Sequence, residues 1–193
     1  LDISAGTATS WNQNLFGSKV NAISISGSDV FIAGSYTQIC GQPRNRLAAI
    51  NVSTGAVTSW NPNASSGGAV INTLAVSGST VYAGGSFSAI GGQSRNSIAA
   101  LDATTGSATA WNPNSSGNVN TIAVSGSNIY AGGAFTTIGG QSRSRIAALD
   151  SSTGLATSWN PGANNSVLAL AVSGSTVFAA GNFDILGGSA RWY

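Results

Sequence analysis

Trp11, Trp60, Trp111 and Trp159 recur at intervals of 49, 51 and 48 residues, each followed by Asn and then Pro or Gln. A period of that length marks a supersecondary unit that buries its apolar face only by stacking on a neighbour. The chain therefore reads as four tandem repeats sharing one core, a single domain over 1–193.

The third repeat shows the local plan. Val119–Ser125 alternates in the manner of a short strand and stops at Gly126-Ser127, a hairpin signal, before a second run over Asn128–Phe135. A loop leads to a third run, Arg143–Asp150, and the turn Ser151-Ser152-Thr153-Gly154 leads to a fourth, Leu155–Trp159. Four short antiparallel strands per unit without helical periodicity describe the blade of an all-β propeller. Blades are wedges, crowded at the axis and splayed at the rim. Ala83-Gly84-Gly85 and Ala131-Gly132-Gly133 suit the crowded side, and the repeated Trp suits the wide gap, where one ring buries about 150 to 250 Å².

The boundaries predicted this way are blades at 20–63, 71–114 and 119–162, with partial blades at 1–14 and 167–193. Leu1-Asp2 to Trp11 repeats the pattern of Leu101-Asp102 to Trp111, so head and tail together complete one four-stranded blade and give a ring of four. A segment of a longer propeller, or an open array whose edges pair with another copy, is the rival organisation. The chain lacks an initiator Met and a signal-peptide pattern, and it reads as a mature fragment or a piece of something longer.

Two resemblances follow from these motifs. Phe135-Thr136-Thr137-Ile138-Gly139-Gly140-Gln141, Arg145–Asp150 and Trp159-Asn160-Pro161-Gly162 resemble the delta-60 repeat β-propellers, a bacterial family of unknown function. That resemblance covers essentially the whole chain and implies a large secreted or cell-surface protein. Ala100–Gly106 followed by Trp111 is similar to the tryptophan-docking motif of quinoprotein (PQQ-type) propellers, where the motif implies an inter-blade clamp. Quinoprotein enzymes also need an acid base and metal ligands around the quinone.

Composition narrows the chemistry. Only 6% of residues are charged, there is no His and no Glu, and one Lys, one Cys and five Asp are the remaining candidates for proton work. Asp2, Asp102 and Asp150 share a repeat position with Asn51 directly before a turn, which points to an Asx-type turn rather than paired carboxylates. Asp29 and Asp184 stand singly, and no Asp-rich loop offers calcium ligands. Cys40 stands where the other units have Gly91, Gly139 and Gly187, a small substitution rather than a nucleophile. Sequons at Asn51, Asn63, Asn114 and Asn164 are expected by chance in so Asn/Ser-rich a chain.

Arg44, Arg95, Arg143 and Arg191 recur in register, and the guanidinium fork suits the anchoring of a loop; a ring of anion-binding charges is the alternative. Arg46 and Arg145 add charge to that rim in two units. The net charge of +2 is not gathered into a phosphate-binding stripe, which argues against nucleic acid, and no apolar run is long enough for a membrane span. Leu15, Phe16, Lys19, Trp192 and Tyr193 depart from the repeat. They either contact a sugar or a neighbouring subunit, or cover an end of the array.

The function expected is a non-enzymatic extracellular structural or interaction module without cofactor or metal, part of a larger cell-surface or filament-forming protein. Its partners would be further copies, other domains of the parent protein or surface glycans. A carbohydrate-binding or adhesion propeller is the alternative, and a quinoprotein-like enzyme a further one.

Overall fold

Residues 4–5, 7, 14–16, 19–65 and 68–190 are described by the computed structural model; Trp11, Arg191, Trp192 and Tyr193 lie outside them. Among the described residues the chain is all β, in a repeated plan. After β1 (Leu15–Phe16), unit one holds β2 (Val20–Ser26), β3 (Asp29–Gly34), β4 (Gln38–Ile39), β5 (Gln42–Pro43) and β6 (Leu47–Asn51). Unit two repeats it with β7 (Val70–Ser77), β8 (Thr80–Ser86), β9 (Ala89–Ile90), β10 (Gln93–Ser94) and β11 (Ile98–Asp102). Unit three has β12 (Val119–Ser125), β13 (Asn128–Gly133), β14 (Thr137–Ile138), β15 (Gln141–Ser142) and β16 (Ile146–Asp150). Unit four has β17 (Val167–Ser173), β18 (Thr176–Gly181), β19 (Ile185–Leu186) and β20 (Ser189–Ala190).

Each of the first three units is an antiparallel sheet with its second strand in the centre, ordered β2-β3-β6, β7-β8-β11 and β12-β13-β16. Gly27, Gly78 and Gly126 turn the first hairpin in the left-handed region, where a side chain would be strained. The loop between second and third strands folds into a two-residue hairpin, β4-β5, β9-β10 or β14-β15. The long second and third runs expected from sequence are accordingly shorter, ending at Gly133 and starting at Ile146 in unit three.

The fourth strand of each unit differs most from expectation. It is reduced to one bridge per unit: Ile50 to Val57, Leu101 to Ala108 and Leu149 to Ala156. In unit two, Asp102 N–H reaches Ser107 C=O and Thr109 N–H reaches Ala100 C=O, both at 2.9 Å. Beyond that the Thr109 carbonyl accepts from Arg95 and the Thr109 hydroxyl accepts from Trp111 N–H, so the ladder ends and the chain leaves for the next unit. Unit four shows two main strands, β17 and β18.

Units stack face to face through their first strands, β2 on β7, β7 on β12 and β12 on β17. One cluster joins Ala22, Phe31, Ala33, Ala49 and Trp60 of unit one to Leu74, Val76, Val81, Ala83 and Leu101 of unit two. The corresponding cluster between units two and three holds Tyr82, Ala100 and Trp111 against Ile122, Val124, Ile129, Ala131 and Leu149. Core and inter-unit interface are the same apolar material, as in a propeller-like repeat array.

Candidate functional site

The latch between units recurs at two junctions. Trp60 and Trp111 are 2% and 5% exposed, and each indole N–H donates across the interface to the carbonyl of an Asp in the following unit. The bonds are Trp60 Nε1 to Asp102 O at 3.0 Å and Trp111 Nε1 to Asp150 O at 2.9 Å. A buried indole needs this partner, because an unmet N–H in an apolar gap is costly. Each Trp also meets an aromatic of its own unit edge to face: Phe31 with Trp60, Tyr82 with Trp111 and Tyr130 with Trp159, centroids 5.0, 5.2 and 5.3 Å apart. Trp159 is only half-buried.

The turn that accepts the indole is itself pinned. The Asn51 side-chain oxygen accepts from the backbone N–H of Ser53 and Thr54, and Asp102 and Asp150 do the same with Thr104, Thr105, Ser152 and Thr153. Hydrogen bonds to the ionised form hold both carboxyls down. For Asp102 the Thr105 backbone N–H contributes most. For Asp150 the Ser152 hydroxyl leads, and its pKa falls to about 2. Both groups are turn acceptors, and among the described residues no second carboxylate bonds to either. Gly106 and Gly154, with φ of +77° and +75°, lie against Asn61-Pro62 and Asn112-Pro113 of the preceding unit, so the motif is one docked surface.

Arg44, Arg95 and Arg143 sit in matching places. Each sends one guanidinium N–H to the carbonyl just before it, and another to the Thr58, Thr109 or Thr157 carbonyl fourteen residues on. Their forks clip the small hairpin to the fourth segment. Arg46 bonds the Ala69 carbonyl and Arg145 the Ala163 carbonyl, tying hairpin to connector. Tyr36 is buried, its hydroxyl donating to the Ile32 carbonyl at 2.9 Å, and desolvation pushes its pKa up. Cys40 is exposed, with φ of 47° where Gly91 and Gly139 take 60° and 61°.

Two clefts of about 440 and 590 Å³ open beside the Trp-Asn-Pro loops, one edged by Asn61, Gly92, Thr105 and Ser107, the other by Asn112, Thr137, Gln141 and Gly154. Both are lined by amides, hydroxyls, backbone and a few apolar side chains, without a charged group. Among the described residues no group of three His, Cys, Asp or Glu could hold a metal ion.

Leu15 and Phe16 pair with Ile39 and Gln38, at 41% and 71% exposure, at the level where Ser65 bridges Ala89 and Ala163 bridges Leu186. Lys19 is exposed at the foot of β2, its carbonyl accepting from Ser35 N–H. The structure thus brings these three into one connector, while their proposed companions Trp192 and Tyr193 fall outside the described residues. Sequence reasoning missed a second set: Ile23 and Ile25 on β2, and Leu168 and Phe178 on β17 and β18, all at least half exposed. Ile23, Ile25 and Phe178 stand at repeat positions that look like core, and Leu168 stands where the other units have Asn21, Asn72 and Asn120. The signal that could have found them is order along the chain, since they lie in the first and last units of the described residues.

A family model described as "Outer membrane protein assembly factor BamB", of PQQ-type repeats, matches residues 1–161. The chain belongs to this family. Membership supports the quinoprotein-type similarity read from Ala100–Gly106 and Trp111, and the indole-to-turn latch is the physical form of that motif here. No curated protein matches the chain. Among solved structures it is similar to the computationally designed Ika8 protein, at 18% identity and a TM-score of 0.56, over 84% of this chain and 42% of that one. It is also similar to the computationally designed Ika4 protein, at 15% identity and a TM-score of 0.57, over 84% of each chain. The BamB-type chain therefore spans under half of the longer designed fold and most of the shorter one.

Proposed function

We propose that this chain is a non-enzymatic structural or interaction module of the cell surface or extracellular space, built as a latched propeller array that presents loops and end faces to other macromolecules. The observation that carries the reading is where the polar chemistry goes. Asp102 and Asp150 are spent on turns, Arg44, Arg95 and Arg143 on loop carbonyls, and the clefts hold no acid or base. Proton transfer needs a titratable group within reach of substrate, and none lines these clefts. The family model is described as an outer membrane protein assembly factor, a description compatible with an interaction role. The delta-60 resemblance, with its implied large secreted parent, fits the same reading.

Imaging the native particle that contains this chain tests the proposal. A larger ring, fibre or multi-component surface structure is the expected result; isolated discs with nothing attached would count against it. A carbohydrate-binding reading has one specific observation in its favour, the exposed Phe16 beside Leu15 on a hairpin rim. It predicts that Leu15→Ser with Phe16→Ser lowers binding on a glycan array at least tenfold. An unchanged array profile would dispose of it.

A further inference from the structure

The two ends of the array match the two halves of an interface that the chain already contains. Where units one and two meet, a forward face carrying Ala22, Phe31 and Ala33 closes on a back face carrying Leu74, Val76, Val81 and Ala83. Unit four repeats that forward face with Ala169 for Ala22, Phe178 for Phe31 and Ala180 for Ala33, in the same cross-strand register. Unit one repeats the back face with Ile23 for Leu74 and Ile25 for Val76.

Inside the array these positions are covered, Phe31 at 2% and Leu74 at 9% exposed. At the ends they are open: Ile23 64%, Ile25 68%, Leu168 50% and Phe178 57%. Four large apolar side chains held in solvent on two flat sheet faces mark a contact surface. Leu168 makes the point separately. Its repeat counterparts Asn21, Asn72 and Asn120 each donate an amide to a carbonyl of the following unit, and at the end of the array the amide is replaced by an apolar group.

We propose that the occupant is a second copy of this chain docked head to tail, Ile23 and Ile25 of one copy seated on Leu168 and Phe178 of the other. The proposal rests on the interaction-module reading and names its partner. Closure of the four units on themselves would bury the two faces against each other, and both are open at once. Face-to-face pairing of like ends would set Phe178 against Phe178, whereas the aliphatic back face has its complement already built at the junction of units one and two.

Light scattering on the purified 193-residue chain tests this. The expected mass is at least two copies. Ile23→Asp with Ile25→Asp, and separately Leu168→Asp with Phe178→Asp, should each fall to one copy, because each spoils one side of every contact. An equimolar mixture of the two variants keeps one intact pair of faces and should return to a two-copy mass, which also shows that both variants fold. A one-copy mass for the parent chain, association that survives either variant, or a mixture that stays at one copy would each overturn the proposal. A one-copy parent chain from a native particle that is still multi-component would remove the second copy and leave the module reading standing.

Discussion

Units two and three solve the crowded side of the wedge differently from units one and four. Thr73 faces Gly84 and Thr121 faces Gly132, whereas Ala22 faces Ala33 and Ala169 faces Ala180. The summed side-chain bulk of each cross-strand pair changes little, as close packing demands. In the Thr-Gly units the hydroxyl also accepts from a backbone N–H of the next unit, Ile122 at 3.2 Å and Leu170 at 3.1 Å. The junctions two–three and three–four thus add a hydroxyl tie that the junction one–two, built on the Ala-Ala face, does without. One backbone plan tolerates both because the pair, not the single residue, is what must fit.

The largest expected effect separates the latches. Trp60→Ala should cost about 3 to 5 kcal/mol in urea unfolding, since a nearly buried ring and its bond to Asp102 both go. Trp159→Ala, starting half-buried, should cost clearly less; equal losses would mean that the latches are not graded by burial. Next comes the Thr-Gly pair. A Cβ on Gly84 would lie 2.7 Å from Val119 Cγ1 and 2.8 Å from Thr73 Cγ2, so Gly84→Ala should cost about 1 to 3 kcal/mol. Adding Thr73→Ala recreates the pair of unit one and should recover part of that loss, a coupling of at least about 0.5 kcal/mol by double-mutant cycle. Additive losses would refute compensation.

A pH effect should distinguish the Asp turns from the Asn turn. The folded carboxyls of Asp102 and Asp150 lie below their unfolded value, so their contribution is present above the unfolded pKa of about 3.9 and fades as pH falls through the folded one. For Asp150 that window runs down to about 2. Asp102→Asn with Asp150→Asn, copying Asn51, should flatten the loss of melting temperature in that range; an unchanged acid profile would show that other groups cause it. The smallest effect belongs to Cys40→Gly, which relieves a left-handed backbone at an exposed site and should stabilise by up to about 1 kcal/mol, read as a shift in urea midpoint.

The period of the Trp residues and the alternation within Val119–Ser125 carried the sheet plan, because strand periodicity and repetition are both local signals. The role of Asn51, Asp102 and Asp150 was legible for the same reason: an Asx turn is decided within four residues. The fourth strand was not. Its residues have strand chemistry, but Arg95 and Trp111 take over the groups a ladder would use, and that competition is tertiary. Ile23 and Phe178 were illegible in another way, since apolar residues at core positions look alike whether or not a neighbour covers them. Leu168 was readable as the break in a column of Asn.

The latch joins a neutral indole N–H to a backbone carbonyl, inside an apolar gap. Mobile ions screen charges and leave such a bond untouched. The stacking of units should therefore hold equally in dilute buffer and in brine, and strongly hydrated salts such as sulfate should tighten it by favouring apolar burial.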